Sequence, residues 1–354
     1  MSAYSGIEKL LHRVALQMPA VTEMSFDIDQ KIAAVDRAGV AQGRHVFVSG
    51  LARAGTTVLM RRFHASGAFR SLTYRDMPFV LAPNMWKRMS GVSSKDIERH
   101  VRAHGDGVEV DADSPEALEE VFWRVFCGDD YLQKDRLVPH RVPDEVRDQF
   151  RGYVGAILAA QDEGGPRRYL SKNNNNILRI GALRKALPEA LILVPFRDPV
   201  AHAASLMRQH ELFCGMQADD PFVQKYMGWL AHHEFGLTHR PFCFGGTLPS
   251  AEGDTPATLA YWLRMWRDTY AYLLEQHSDK AVFVCYEDLC ADPGVWSSLA
   301  GMAGLDPDAE AGDTLSLRPP KDAPEGLDPA LLAECRDLYA TLRTAGTEGM
   351  AARG

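Results

Sequence analysis

No run in this chain approaches the roughly 18 apolar residues of a membrane-spanning helix. The opening residues Met1-Ser2-Ala3-Tyr4-Ser5-Gly6 lack the basic start and apolar stretch of a secretory leader. An excess of positive charge is missing too. The 39 basic residues face 47 acidic ones, a net charge of −8 that leaves no electrostatic footprint for a nucleic acid. The modest negative charge serves solubility. The six cysteines (Cys127, Cys214, Cys243, Cys285, Cys290, Cys335) show no C-x-x-C spacing and sit in apolar or helical contexts, as reduced core thiols do. These absences predict a soluble, cytoplasmic protein with no membrane span and no nucleic-acid partner.

What is present is the material of a large core. The 354 residues are 46% apolar, enough for one large or two ordinary domains. Strand-like runs alternate with longer helical stretches, the pattern of an α/β sheet with parallel strands. The strand candidates are His45-Val46-Phe47-Val48-Ser49, Phe69 to Tyr74, Arg168 to Ser171, Leu191 to Val194 and Ala281 to Tyr286. Pro195 cannot donate a ladder hydrogen bond, so the fourth strand is expected to end near Val194. Helical insertions are expected near 85–165 and 206–270, with a further helical segment near 325–345. The stretch Cys243 to Pro256 is rich in Gly, Pro and Ser and reads as a surface loop. No repeat or linker divides the chain, which points to one α/β domain with its core near 44–300.

The first strand leads into Gly50-Leu51-Ala52-Arg53-Ala54-Gly55-Thr56-Thr57 and then Val58-Leu59-Met60. Strand, glycine-rich turn and helix in that order form a phosphate cradle, because backbone N–H groups and the helix N-terminus point at an anion. A nucleoside-triphosphate P-loop reads G-x4-G-K-[ST]. Here Thr56 stands where that lysine belongs, and the only cation in the loop is Arg53. The pattern suits a nucleotide 5′-phosphate without the usual β/γ pair and magnesium.

A second segment, Val194-Pro195-Phe196-Arg197-Asp198-Pro199-Val200, runs on to Ser205. Asp198 is a good N-cap and Pro199 suits the first helical position, so a helix should start at the carboxyl end of a strand, where open parallel sheets bind ligands. Arg197 there is a fork of donors for a phosphate, or a partner of Asp198 or a neighbouring helix. Further on, Trp262, Trp266, Tyr270 and Leu274 make a helix stripe of the core type. A third segment follows, Tyr286-Glu287-Asp288-Leu289 and then Asp292-Pro293.

In this order the three segments resemble the sulfotransferases that use 3′-phosphoadenosine 5′-phosphosulfate (PAPS). Their first loop reads P-[KR]-S-G-T-T against Ala52 to Thr57 here. Their R-D-P and following serine match Arg197-Asp198-Pro199 and Ser205, and their Y-E-D-L-x-x-x-P matches Tyr286 to Pro293. Arg53 makes the chain similar to the bacterial and tyrosylprotein branches, whereas Ala52 and Ala54 depart from the family's proline and serine. The resemblance implies a P-loop-like parallel sheet of about five strands flanked by helices, with helical insertions forming the acceptor pocket. It also implies PAPS as co-substrate, no required metal, and a hydroxylated small molecule, glycan or lipid as acceptor.

By the same resemblance Arg53, Ala54, Gly55, Thr56 and Thr57 grip the 5′-phosphosulfate, with Arg53 neutralising the leaving oxygen. Arg197 and Ser205 hold the 3′-phosphate. Tyr286 orients the adenine or is a packed aromatic at a strand end. Lys172 matches the lysine that relatives place after the third strand, although Asn173-Asn174-Asn175-Asn176 replaces the usual proline; the alternative is a solvent-exposed Lys172 with the asparagines as a cap for a helix from Ile177 to Leu187. For the base that takes the acceptor proton, Asp76 in Tyr74-Arg75-Asp76-Met77-Pro78 is the candidate, against a pair with Arg75 or a cap. His64, His202 and His210 are the alternatives, and His232, His233 and His239 read as helix-surface residues rather than metal ligands. Whether Arg318 or Lys321 reaches the nucleotide stays open. A P-loop small-molecule kinase and a non-catalytic nucleotide-binding module are the rival readings; the kinase leaves the missing lysine and the Arg197–Ser205 pair unexplained.

Overall fold

A computed structural model describes residues 6–90, 100–101, 109–110, 117–161, 164–165, 168–246, 253–306 and 327–353. Five short strands, β1 (Val46–Val48), β2 (Phe69–Arg70), β3 (Arg168–Lys172), β4 (Leu191–Phe196) and β5 (Val282–Cys285), form one sheet in the order β2-β3-β1-β4-β5. All four pairings are parallel. Residues 46–48 are apolar without a break because helices cover both faces of a parallel sheet. Phe47 joins the core on one face with Phe150, Tyr153 and Ile192, while Val46 and Val48 face Leu59, Phe63, Leu170 and Leu193 on the other. The two faces follow from the period of two along a strand.

From β1 the chain crosses to β2 and β3 on one side, and then to β4 and β5 on the other. The strand order therefore reverses at β1, and such a switch point opens a crevice at the carboxyl edge. The helix Thr56–Ala65 leaves β1 at that edge, and Pro199–Asp219 leaves β4 there. The insertion regions hold Pro83–Ser90, Glu120–Tyr131 and Asp144–Ala159, and later Pro221–Trp229 and Leu259–His277. In the last of these Trp262, Trp266 and Tyr270 are fully buried, so the stripe is core. The C-terminal helix Pro329–Ala351 packs on β5 and on Leu259–His277. Two N-terminal helices, Gly6–Gln17 and Pro19–Ala33, had no counterpart in the sequence reading.

The differences from expectation have local causes. β4 does not stop at Val194; Pro195 pairs in register with Val284. β1 reaches only as far as Leu193 in this pairing, and the next residue, Ser49, donates to the Leu193 carbonyl at 2.8 Å. Two residues on, Pro195 faces the same side after β1 has turned away, so its missing N–H breaks no ladder bond. The second strand is two residues long rather than six, because Tyr74–Asp76 tightens into a 3₁₀ turn. The helix expected from Ile177 divides into a 3₁₀ turn, Asn174–Leu178, and a helix, Ile180–Ala186.

That division is held by buried charge. Arg179 meets Glu120 in a bidentate ion pair, Nη1 donating to Oε2 at 2.8 Å and Nη2 to Oε1 at 3.0 Å, with neither side chain more than 1% exposed. Asn173 donates to Glu120 Oε2 at 2.7 Å, and the Tyr131 hydroxyl donates to Oε1. The neighbouring Glu119 accepts from Asn176 at 2.8 Å, Trp123 at 3.0 Å and Tyr169 at 3.0 Å. Burial acts to raise the Glu120 pKa, but the charge and hydrogen bonds of Arg179, with those of Tyr131 and Asn173, outweigh it and hold the group below its ordinary value. Arg179→Leu leaves Glu120 buried without its counter-charge, and urea unfolding at neutral pH should show a loss of about 3–5 kcal/mol. A carboxyl with a lowered folded pKa stabilises above its unfolded value and loses that contribution as pH falls through the folded one. The gap between variant and wild type should therefore narrow in acid.

Candidate active site

The loop after β1 approaches the end of β4 closely; a Cβ on Gly50 would stand 2.9 Å from the Pro195 carbonyl oxygen. The chain then turns through Arg53 at φ +69° and Gly55 at φ +92°. Gly55 precedes the helix Thr56–Ala65 and offers no side-chain cap. The first-turn amides of a helix have no acceptor within it, so this terminus has the chemistry to seat an anion. Ala54 and Thr56 are buried, Thr57 is half-buried and Arg53 is exposed.

The three sequence segments meet here. Arg53 Nε donates to Ser205 Oγ at 3.3 Å, joining the loop to the helix that follows β4. His202, on the same helix, bonds the Ala52 carbonyl at 2.7 Å. Tyr286 lies against the loop so tightly that a Cβ on Gly55 would be 2.4 Å from its ring. Tyr286 does not end a strand as expected; β5 stops at Cys285 and Tyr286 opens the helix Tyr286–Ala291. The Arg197 guanidinium stands 5.4 Å from the Tyr286 ring centroid and 3.7 Å from Glu287. Arg197 Nε is buried with no hydrogen-bond partner among the described residues. Glu287 also accepts the Asp198 amide at 3.1 Å and the Tyr339 hydroxyl at 3.1 Å, so one carboxylate ties β4, β5 and the C-terminal helix together. Asp198 caps its helix through the Ala201 amide at 2.8 Å.

Lys172 is the last residue of β3, in register with Val48 just before the loop, and Asn173 donates to the Val48 carbonyl at 3.2 Å. Lys172 is half-buried. The four asparagines are a buried anchor: Asn173 caps Asn175, and the Glu119–Glu120–Arg179 cluster holds Asn173 and Asn176. Nothing local in the sequence signalled this; two adjacent acids opening the apolar helix at Val121 were its only trace.

Asp76 does not stand open to a substrate. Both its oxygens accept from Arg70, at 2.6 and 2.8 Å, and the Thr73 amide adds a third bond at 2.7 Å. It is 5% exposed, and it forms a capping box with Thr73 rather than a pair with Arg75. The histidines are also committed. Burial lowers His202 to about 3, with the charges of Arg197 and Arg53 in the same direction. His210 is lowered by burial as well, and His64 lies in the last turn of its helix, away from the loop. His233 and His239 are lowered to about 4, chiefly by burial, and His239 bonds the Tyr261 hydroxyl at 2.7 Å. They are interior residues, not the helix-surface residues expected. Arg318 and Lys321 lie outside the described residues.

The sequence reading passed over Glu234, beside His233. It is 8% exposed and lines a cavity of about 10 Å³ with Leu51, Ala52, Leu206 and Arg240. Burial pushes its carboxyl up to about 7, helped by Glu120 and opposed by Lys172 and Asn174. The signal available in the sequence was one acid set between two histidines and Phe235.

Since Asp76 is held by charge-assisted bonds, Asp76→Asn should cost about 1.5–3 kcal/mol of stability, read by urea unfolding. Lost turnover with undiminished stability would return Asp76 to the reacting atoms.

The chain matches the profile of the sulfotransferase family over residues 45–237, more than half its length. No curated protein matches it. Among solved structures it is similar to sulfotransferase STF1 from Mycobacterium tuberculosis, at 18% identity and a TM-score of 0.47, over 95% of this chain and 86% of that one. It is also similar to sulfotransferase STF9 from Mycobacterium avium, at 16% identity and a TM-score of 0.44, over 84% and 68%. The sulfotransferase domain of the olefin synthase from Synechococcus PCC 7002 matches at 16% identity and 0.34, over 88% and 94%. With the profile covering β1 to β4, the loop Gly50 to Thr57 and the Arg197–Ser205 segment, the chain belongs to the sulfotransferase family.

Proposed function

We propose that this protein transfers the sulfuryl group of PAPS to a hydroxyl of a small-molecule, glycan or lipid acceptor. The observation that carries the proposal is Arg197 beside an uncapped helix N-terminus: its buried Nε has Glu287 as counter-charge at 3.7 Å but no hydrogen-bond partner among the described residues. A buried donor of this kind is costly unless a ligand completes it. A nucleotide with phosphate on both the 5′ and 3′ positions fits a site with two anion seats; AMP fills one. The donor, when bound, supplies a sulfuryl group on a phosphate leaving group. The chain supplies alignment and charge, since such transfers leave a protein little covalent work.

In this reading the amides from Gly55 to Thr57 and the hydroxyls of Thr56 and Thr57 hold the 5′-phosphosulfate. Arg53 and Lys172 flank the bond that breaks and stabilise charge growing on the bridging oxygen. Arg197 takes the 3′-phosphate with Ser205, and Tyr286, stacked on the loop, sets the adenine. No metal is assigned a part. The free state of all six cysteines accords with a cytoplasmic setting.

Calorimetry should show adenosine 3′,5′-bisphosphate binding much more tightly than AMP, and Arg197→Ala should erase most of that difference. A loss of about 10–100-fold in bisphosphate affinity corresponds to one charged hydrogen-bonding group. Arg53→Ala should instead reduce turnover by about 10²–10³. Equal affinities for the two nucleotides, or rapid turnover of ATP with magnesium, would favour the kinase.

A further inference from the structure

We propose that Glu234 is the base that takes the proton from the acceptor hydroxyl. The proposal rests on the sulfotransferase reading above and adds the residue that reading lacks. Attack on sulfur needs a proton acceptor on the acceptor side of the phosphate loop, close to Lys172. Asp76 is consumed by Arg70 and Thr73, and His202 by the Ala52 carbonyl. Glu234 occupies the required place. It faces the cavity formed with Leu51 and Ala52 of the loop itself, and its carboxylate feels the Lys172 charge and the Asn174 side chain, both of which oppose the effect of burial. At about 10 Å³ the cavity has room for one water or one hydroxyl group.

The segment that carries Glu234 is pinned on several sides. Asn175 donates to the Ala231 carbonyl at 3.4 Å, Gln217 accepts the Leu237 amide at 2.7 Å, and His210 accepts the Gly236 amide at 3.3 Å. Ala231 and Gly236 both take positive φ, so the turn is sharply folded around the acid. A base held this way is preorganised. Its charged surroundings are Glu120 from the helix Glu120–Tyr131, Lys172 from β3, His232 with Nδ1 at 3.8 Å, and Arg240 and His239 across the cavity. With burial dominant, the carboxyl titrates at about 7, where a base combines availability with driving force.

The step balances without a further reactant. The acceptor O–H proton passes to Glu234 while an oxygen lone pair forms the new O–S bond. The S–O bond to the 5′-phosphate breaks, and its electron pair stays on that phosphate. A sulfate ester and adenosine 3′,5′-bisphosphate result, and Glu234 returns its proton to solvent.

The test uses the full chain with labelled PAPS, water and 2-phenylethanol as acceptor probes, and 4-nitrophenol as a far more acidic probe, about half ionised near pH 7 and almost wholly so above it. For the wild type, the rate should rise with pH through about 7 and then level, because the base must be ionised. Glu234→Gln should keep bisphosphate affinity, lose about 10²–10⁴ in turnover with water and 2-phenylethanol, and lose the acidic limb. With 4-nitrophenol its loss should be much smaller. Should the amide fail to fold, Glu234→Asp retains a carboxylate, and its acidic limb should persist at reduced rate. An infrared difference titration supplies a readout apart from turnover: a carboxyl band lost near pH 7 in the wild type and missing from Glu234→Gln. A band that titrates more than about a unit from 7, or Glu234→Gln activity near wild type while Arg53→Ala is crippled, overturns Glu234 alone. Bisphosphate binding without any sulfuryl transfer by the wild type overturns the parent reading, and Glu234 as base with it.

Discussion

Burying the guanidinium of Arg179 beside the carboxylate of Glu120 carries a desolvation cost that only close, multiply hydrogen-bonded geometry offsets. The structure meets that condition with two direct bonds, further donors from Asn173 and Tyr131, and the faces of Trp123 and Tyr131 at 4.9 and 4.6 Å from the guanidinium carbon. The cluster stands directly under the turn that leaves β3. It therefore fixes the path of Asn173 to Asn176, and with it Lys172 and Asn174 at the carboxyl edge. The asparagine run that replaces the family's proline is rigid by hydrogen bonding rather than by ring closure.

The second organising constraint is proximity between strand ends. β1, β4 and β5 finish within one short span of the sheet, where Gly50 meets Pro195 and Gly55 meets Tyr286 at distances that leave no space for a side chain. Glu287 then fastens the β4 end from the β5 side. Arg53, Ser205, Arg197 and Tyr286 come from three distant parts of the chain and are neighbours because the parallel topology puts every carboxyl end on one edge.

Burial divides the titratable groups by task. His202 and His239 are kept neutral and serve as hydrogen-bonding spacers, and Glu120 is kept ionised by Arg179. At Glu234 burial is only partly offset by neighbouring charge, which moves the group towards neutrality instead of locking either form. Similar side chains thus acquire different chemistry from desolvation and charge in different proportions.

Local order made much of this legible in advance. The loop from Gly50 to Thr57 announces an anion seat because glycine spacing and the missing lysine are properties of consecutive residues. Asp198-Pro199 announces a helix start for the same reason, and the alternation of strands and helices announces a parallel sheet. Other features depended on which segments meet. Pro195 extends β4 because β1 has already turned away, and a neighbouring strand's end is invisible in a proline's own context. Asp76 is a capping residue because Arg70 folds back onto it. Glu119, Glu120 and Arg179 form one cluster across about 60 residues of sequence. Glu234 acquires its environment only when the loop after Trp229 is pressed against β1 and β3. The sequence alone determined the order of elements and the glycine-rich, lysine-free loop that follows the first strand. The tertiary structure decided how far each carboxylate is locked by partners or shifted by burial, because pairing and desolvation are set by neighbours in space rather than along the chain.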